Sequence, residues 1–340
     1  MEFCFPSEKL WQIYRPPNLK QMHLCALLTW DTRRSRGVDQ FLSAVFAGTS
    51  RGAIYALVAL GLVLVWRGAG VINFAQMGQA MFSTYVASTL IMNGYSYWIA
   101  FFVALIVGTI LGAAVDLFVM RPLSGKRSSA MLASPAMRST IPVIASLGIV
   151  GILQAAAGMI WAAEERGFPT PVNALGLTIG GNVMPFTAFD LFVIGIVMFV
   201  LLITTIFFQK TGMGLAMRAS ALNPEVARLS GIRTSSVRTL SWAISGAASS
   251  LAGLLVTPSA NLSPNTLDLI LIIGFTATVI GGLDSLPGGV IGGFILGLVI
   301  SFVNVYRSPS DIFLAILVLL LIVLLVRPQG LLGSKEVRRV

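Results

Sequence analysis

The feature that most constrains this chain is its repeated runs of uninterrupted apolar residues, too long for the core of a water-soluble domain. A helix needs about 20 predominantly apolar residues to cross roughly 30 Å of hydrocarbon. Candidate spans fall at 41–66, 72–92, 97–119, 141–161, 187–208, 239–257, 269–283, 290–306 and 311–326. Backbone polar groups in lipid must be satisfied inside the segment, so these runs read as helices and not as open sheet. The predicted fold class is all-α, a polytopic membrane protein with about 8–9 transmembrane or re-entrant helices. The last three runs are short, and 269–306 is rich in glycine, so broken or re-entrant helices are open there. Charged residues make up 11% of the 340, against about 25% in a globular chain. Disorder, a secreted disulfide scaffold and a cytosolic enzyme are excluded as classes.

Alternating the spans sorts the loops into two sets of very different charge. Segments 67–71, 120–140, 209–238, 284–289 and 327–340 hold fourteen basic residues and three acids (Glu225, Asp284, Glu336). The opposite loops hold only Arg166 and Arg307 as basic residues. Such a bias sets orientation, so the basic set, with the C-terminus, is predicted to be cytoplasmic. The formal charge of +10 is thereby a topology signal and implies no nucleic acid. Residues 1–37 contradict the scheme, because nine spans put this basic segment outside. Either it is a cytoplasmic arm and the first span is miscounted, or the start is misassigned and translation begins at Val38. The second explanation is favoured, which leaves 1–37 as an N-terminal extension ahead of a transmembrane domain at 38–335.

Several chemistries lack their residues. Cys4, Cys25 and His23 are the only thiols and imidazole, all near the N-terminus and in no zinc pattern, so no metal site is expected. Gly125-Lys126 and Gly212-x-Gly214 lack the remaining elements of nucleotide-binding loops. Asp116 and Asp190 lie near span ends, where each reaches the interface. Arg51, inside the first run, is expected to snorkel from a break that shortens that span to 53–66.

Four regions carry candidate function. In the longest basic loop, 209–238, Asn223-Pro224-Glu225 opens a short helix with an N-cap, proline at N1 and an acid in the first turn. Gly231 closes it at C′. So short a helix must dock, either on its own protein or in a partner's groove; the loop's length, its capping and its basic rim, which includes Arg218 and Arg228, favour the partner, with Glu225 and Arg228 staying polar. Span 72–92 is unusually polar: Asn73, Gln76 and Ser83 fall on one helical face with Gln79 nearby, as a substrate path or as interhelical glue. Gly289, Gly293 and Gly297 form a small-residue series after Gly281-Gly282, read as tight helix packing or as a gate. Gly246 and Gly253 mark a second small-residue zone.

In order along the chain, these segments resemble branched-chain amino acid ABC-transporter permeases of the LivH type. Tyr55-Ala56-Leu57, Ala59-Leu60-Gly61 and Gly70-Val71-Ile72-Asn73-Phe74-Ala75-Gln76 resemble that family's N-terminal signature. Thr211-Gly212-Met213-Gly214, Arg218-Ala219 and Ala227-x-x-x-Gly231-Ile232 resemble its cytoplasmic coupling region. Val279 to Ser285, with Gly288-Gly289 and Gly297, and Arg327-Pro328-x-Gly330-Leu331-Leu332-Gly333 complete a likeness over about 41–335. The resemblance implies a membrane subunit of the bacterial inner membrane with no ATPase site and no cofactor of its own. It implies as partners a second permease, identical or paralogous, two cytoplasmic ATPases that bind ATP and magnesium, and an extracytoplasmic solute-binding protein. Residues 1–37 have no family counterpart, and Gln76-Met77-Gly78-Gln79 departs from the acid or histidine frequent near there. Branched-chain amino acids lead as ligand, with urea, short amides or other amino acids as alternatives. A stand-alone transporter or channel, or a membrane-bound transferase, fits less well, since no cluster of ionisable or nucleophilic groups is visible.

Overall fold

A computed structural model describes residues 19–123, 135–162, 164–172, 176–179 and 182–333. The expectations for residues 1–18, Gly125–Arg127 and Lys335–Arg339 lie outside the described residues. The long helices are α1 (Leu19–Ala69), α2 (Gln76–Met92), α3 (Tyr97–Leu123) and α4 (Pro135–Trp161). A hairpin of β1 (Gly176–Ile179) and β2 (Asn182–Thr187) precedes α5 (Ala188–Lys210). Two short helices follow, α6 (Gly212–Leu222) and α7 (Pro224–Leu229). Last come α8 (Thr234–Ala260), α9 (Asp268–Gly281), α10 (Leu286–Tyr306) and α11 (Ile312–Val326). Among the described residues, seven helices are long and apolar enough to cross a membrane. With α2 at 17 residues and α9 at 14, the nine apolar runs each become a helix. The fold is all-α; the small hairpin, absent from the sequence reading, sits in the loop before α5.

The burial pattern is inverted relative to a soluble bundle. α1 and α8, rich in Gly, Ala, Ser and Thr, are the most buried helices, whereas α4, α5 and α11 present Leu, Ile, Phe and Met outward. Lipid rewards outward-facing apolar side chains, while small residues allow close helix approach inside. Gly293 and Gly297 of α10 lie so near Ala56 and Gly52 of α1 that a methyl group at either would overlap backbone. Gly108 and Gly112 of α3 meet Gly246 and Trp242 of α8 in the same way.

Hydrogen bonds sort the ends of the helices into two poles. At the basic pole the Trp66 indole donates to Asp284 (2.8 Å), and the backbone amides of Leu331 and Leu332 donate to the Ile280 and Gly281 carbonyls (2.8 and 3.0 Å). At the opposite pole Arg166 and Leu262 form an antiparallel bridge, and the Gln154 amide donates to Asp268 (3.0 Å). Segments of the basic loop set thus gather at one end of the bundle.

Three expectations are corrected. α1 is continuous through Arg51, so no break shortens the first span. Its apolar stretch, Gln40–Ala69, is 30 residues long and exceeds the bilayer. Asp116 does not reach the interface: it is fully buried in a π-helical stretch, Val115–Met120, of α3. There it meets Arg238 at 2.7 Å and Arg121 at 3.4 Å, and accepts a hydrogen bond from Thr239 (2.5 Å). α8 accordingly starts at Thr234, a turn before the apolar run at 239, because its first turns carry the cation that neutralises Asp116. Asn73, finally, lies in the turn before α2 and shares no helical face with Gln76.

Candidate functional site

The polar residues of the second span are enclosed by their own bundle. Asn73, Gln76, Gln79 and Ser83 are all fully buried. Gln76 fits against Gly61, where its Nε2 donates to the Val58 carbonyl (3.0 Å) and its Oε1 has no partner. Both amide atoms of Asn73 and of Gln79, and the Tyr85 hydroxyl, find no hydrogen-bond partner among the described residues. Ser83 and Thr84 turn back to the Ala80 carbonyl (2.9 and 2.8 Å). Below them the Tyr85 ring stacks on Trp161 with centroids 5.1 Å apart, and the Trp161 indole donates to Thr89 (2.7 Å). An unpartnered buried polar group costs about 1–3 kcal/mol, so this packing leaves a substantial polar debt around α2.

The glycine series lies inside the chain. Gly289 faces Val63 and Ala59 of α1, and Gly293 and Gly297 continue that seam. Gly281 abuts Gly288 across the turn between α9 and α10. Gly282, at φ +108°, occupies backbone space that L-residues avoid, and it lies against Gln329 and Gly333 of the C-terminal segment. The only non-helical residues between α9 and α10 are Gly282–Ser285, a turn at the basic pole.

The 209–238 loop folds as its capping residues dictate. The Asn223 side chain accepts from the Glu225 and Val226 amides (3.0 and 3.1 Å). Gly231, at φ +83°, closes α7 in a Schellman arrangement: Ile232 N–H donates to Ala227 and Gly231 N–H to Arg228, both at 3.0 Å. Arg228 also donates to Thr234 (2.8 Å), tying α7 to the start of α8. Ala227 is 3% exposed and faces the protein, whereas Val226 is 55% exposed and Leu222 and Leu229 are each 89% exposed. One helix therefore docks on its own chain and still presents apolar residues outward.

Arg218 is set apart from the other four coupling candidates. It lines a cavity of about 740 Å³ at the basic pole together with Arg67, between aliphatic walls from α5 and α10. A second cavity, of about 370 Å³, lies at the opposite pole between α1, α5, α8 and α9; Ser50, Arg51 and Asp190 line it with aliphatic residues. Neither cavity is lined by Asn73, Gln76, Gln79 or Ser83. That Arg67 and Arg218 line one cavity, and Arg51 and Asp190 another, was not legible in the sequence, since each cavity joins helices far apart in the chain. The one signal was an arginine lying inside an apolar run.

Comparison with known proteins adds the family context. A family model described as the permease component of branched-chain amino acid transport systems matches residues 44–325. The high-affinity branched-chain amino acid transport system permease protein LivH of Salmonella typhimurium is 32% identical over 314 residues, covering 88% of this chain and 98% of that protein. The permease protein BraD of Pseudomonas aeruginosa, described in the same terms, is 30% identical over 319 residues, covering 89% and 99%. More distantly, the fructose import permease protein FruF of Bifidobacterium longum is 26% identical over 284 residues, covering 80% and 74%.

Proposed function

We propose a function from this premise: the chain belongs to the family of permease components of branched-chain amino acid transport systems. It is a multi-pass membrane protein and a transport subunit, and membership implies association with ATPase and binding-protein partners. The finer reading is a binding-protein-dependent importer of the bacterial inner membrane. This permease pairs with a second one, two ATPases face its basic pole, and branched-chain amino acids are the cargo. The basic pole is then cytoplasmic, by the loop charges. Transport is alternating access with no covalent step, and partner ATP binding supplies the differential stabilisation of the two states. The polar atoms of Asn73, Gln76 and Gln79 belong to the solute path, because a state that opens the bundle beside α2 relieves their unpartnered burial. Gly281, Gly282, Gly289, Gly293 and Gly297 hold α9, α10 and α1 as one body beside that path.

The observation that carries the coupling assignment is the tip of the 209–238 loop. Asn223 and Gly231 fix α7 from both ends, Glu225 and Arg228 rim it, and Leu222, Val226 and Leu229 stand exposed. Exposed apolar residues on a capped, docked helix fit insertion into a partner's groove. Replacing Val226 and Leu229 together by serine tests this. Loss of an apolar hot spot of about 2 kcal/mol or more lowers ATPase co-purification and ATP-driven leucine uptake by about thirtyfold, while the permease melts as before. Unchanged assembly and uptake would refute the assignment.

A further inference from the structure

We propose that the opposite-pole cavity is a receiving site for a small zwitterion with an aliphatic side chain, the chemistry of a branched-chain α-amino acid. This inference rests on the functional reading above and places its cargo at named residues. Arg51 and Asp190 line the same cavity and do not pair with one another; both ion pairs among the described residues converge on Asp116. The Arg51 guanidinium has no hydrogen-bond or ion-pair partner among the described residues, and the residue is exposed.

Asp190, by contrast, is held rigidly. Its Oδ1 accepts from the Ser50 hydroxyl (2.7 Å), and its Oδ2 accepts from the Thr187 amide and hydroxyl (2.9 and 2.8 Å). A carboxylate offers about four acceptor positions, so one remains for an ammonium group, and the three bonds pre-set its direction. A free cation and a fixed anion on separate walls match an α-carboxylate and an α-ammonium. Ile54, Val193, Leu255, Val256 and Ile270 supply aliphatic lining in the same cavity. A sugar would leave both charges and that lining unmatched, and a simple anion or cation would leave one charge unmatched.

Size and depth agree. The cavity's 370 Å³ falls within the range of about 300–1,000 Å³ typical of small-molecule sites. Arg51 lies 18 residues before Ala69, the last residue of α1, which at about 1.5 Å per residue is about 27 Å along the helix. That distance carries Arg51 most of the way across a core roughly 30 Å thick, toward the pole opposite the coupling loop.

The test uses the full complex of this chain with its partner subunits in lipid nanodiscs and proteoliposomes. Wild-type uptake of L-leucine, driven by ATP and the binding protein, checks the functional reading. Direct binding to the permease–ATPase assembly is then measured for L-leucine, leucinamide, which lacks the carboxylate, and 4-methylpentanoate, which lacks the ammonium. We expect the wild type to prefer leucine over each analogue by at least tenfold. Arg51→Gln should abolish the preference over leucinamide alone, and Asp190→Asn the preference over 4-methylpentanoate alone. Because Asp190 also caps α5, Ile54→Phe, which narrows the cavity without touching a charge, serves as a second variant; it should weaken leucine binding at least tenfold in an assembled complex. Leucine uptake by a wild type that shows no direct leucine binding, or Arg51→Gln and Ile54→Phe complexes that bind all three compounds like the wild type, would overturn the site and leave the functional reading standing. An assembly that pumps other solutes and never leucine would fell the functional reading, and the site with it.

Discussion

Along the seam between α1 and α10, Gly48, Gly52, Gly293 and Gly297 bring two backbones into contact, and among the described residues none of the unpartnered buried polar atoms belongs to either helix. Around α2 the situation is reversed. There Asn73, Gln76, Gln79 and Tyr85 together hold six buried polar atoms without partners among the described residues. The first interface has nothing to gain from opening, because separation would expose backbone contacts that no side chain replaces. The second has much to gain, since any rearrangement admitting solvent or a polar solute satisfies those atoms. On the function proposed above, the difference separates a rigid pair of helices from an element whose polar atoms favour a second arrangement, the kind of two-state element that alternating access requires.

The largest effect should come from violating the rigid seam. Gly297→Leu places side-chain atoms where the Gly52 backbone runs. Overpacking of this kind typically costs about 1–3 kcal/mol, and more where the obstacle is backbone. Here we expect a loss of about 3 kcal/mol or more, read as a large drop in the melting temperature of the detergent-purified protein. A variant that melts like the wild type would mean that α1 and α10 separate easily, and the contrast with α2 would disappear.

Next in size is the opposite manipulation. Gln79→Met removes two buried polar atoms without partners while keeping side-chain length, so stability should rise by about 1–3 kcal/mol. Uptake should fall at least tenfold if those atoms serve the open state. A stability gain with a transport loss is the signature of a residue kept for function. A stability loss would mean that Gln79 is structural glue, which is the competing reading of its helical position.

What the sequence disclosed, and what it hid, follows from the range of the forces involved. The apolar runs were legible because bilayer thickness fixes the length of a spanning helix. The ends of α7 were legible because Asn223 and Gly231 act on backbone groups two to five residues away. Asn73 was misplaced because a period of 3.6 residues carries on through a sequence whether or not the backbone does, and α2 starts only at Gln76. The clamp on Asp116 was invisible for another reason: Arg238 arrives from a different helix, and the π-helical stretch that aims the carboxylate has no residue signature. The site at Arg51 and Asp190 likewise needs α1 and α5 brought side by side, and an arginine in an apolar run hinted only that something had to receive it.

The smallest expected effect uses the same residue type in a different setting. Gly148 and Gly151 of α4 have open space where a side chain would go, unlike the glycines of the α1–α10 seam. Alanine is favoured over glycine in a helix interior by about 1 kcal/mol, so Gly151→Ala should stabilise the separate chain by up to that amount. The measurement is a melt of the chain alone beside a melt of the assembled transporter. A gain in both means that this face of α4 meets lipid. A gain in the chain alone, with a loss in the assembly, means that a second subunit approaches α4 as closely as α10 approaches α1, and the rule read from the internal seam would then extend to the contact between subunits.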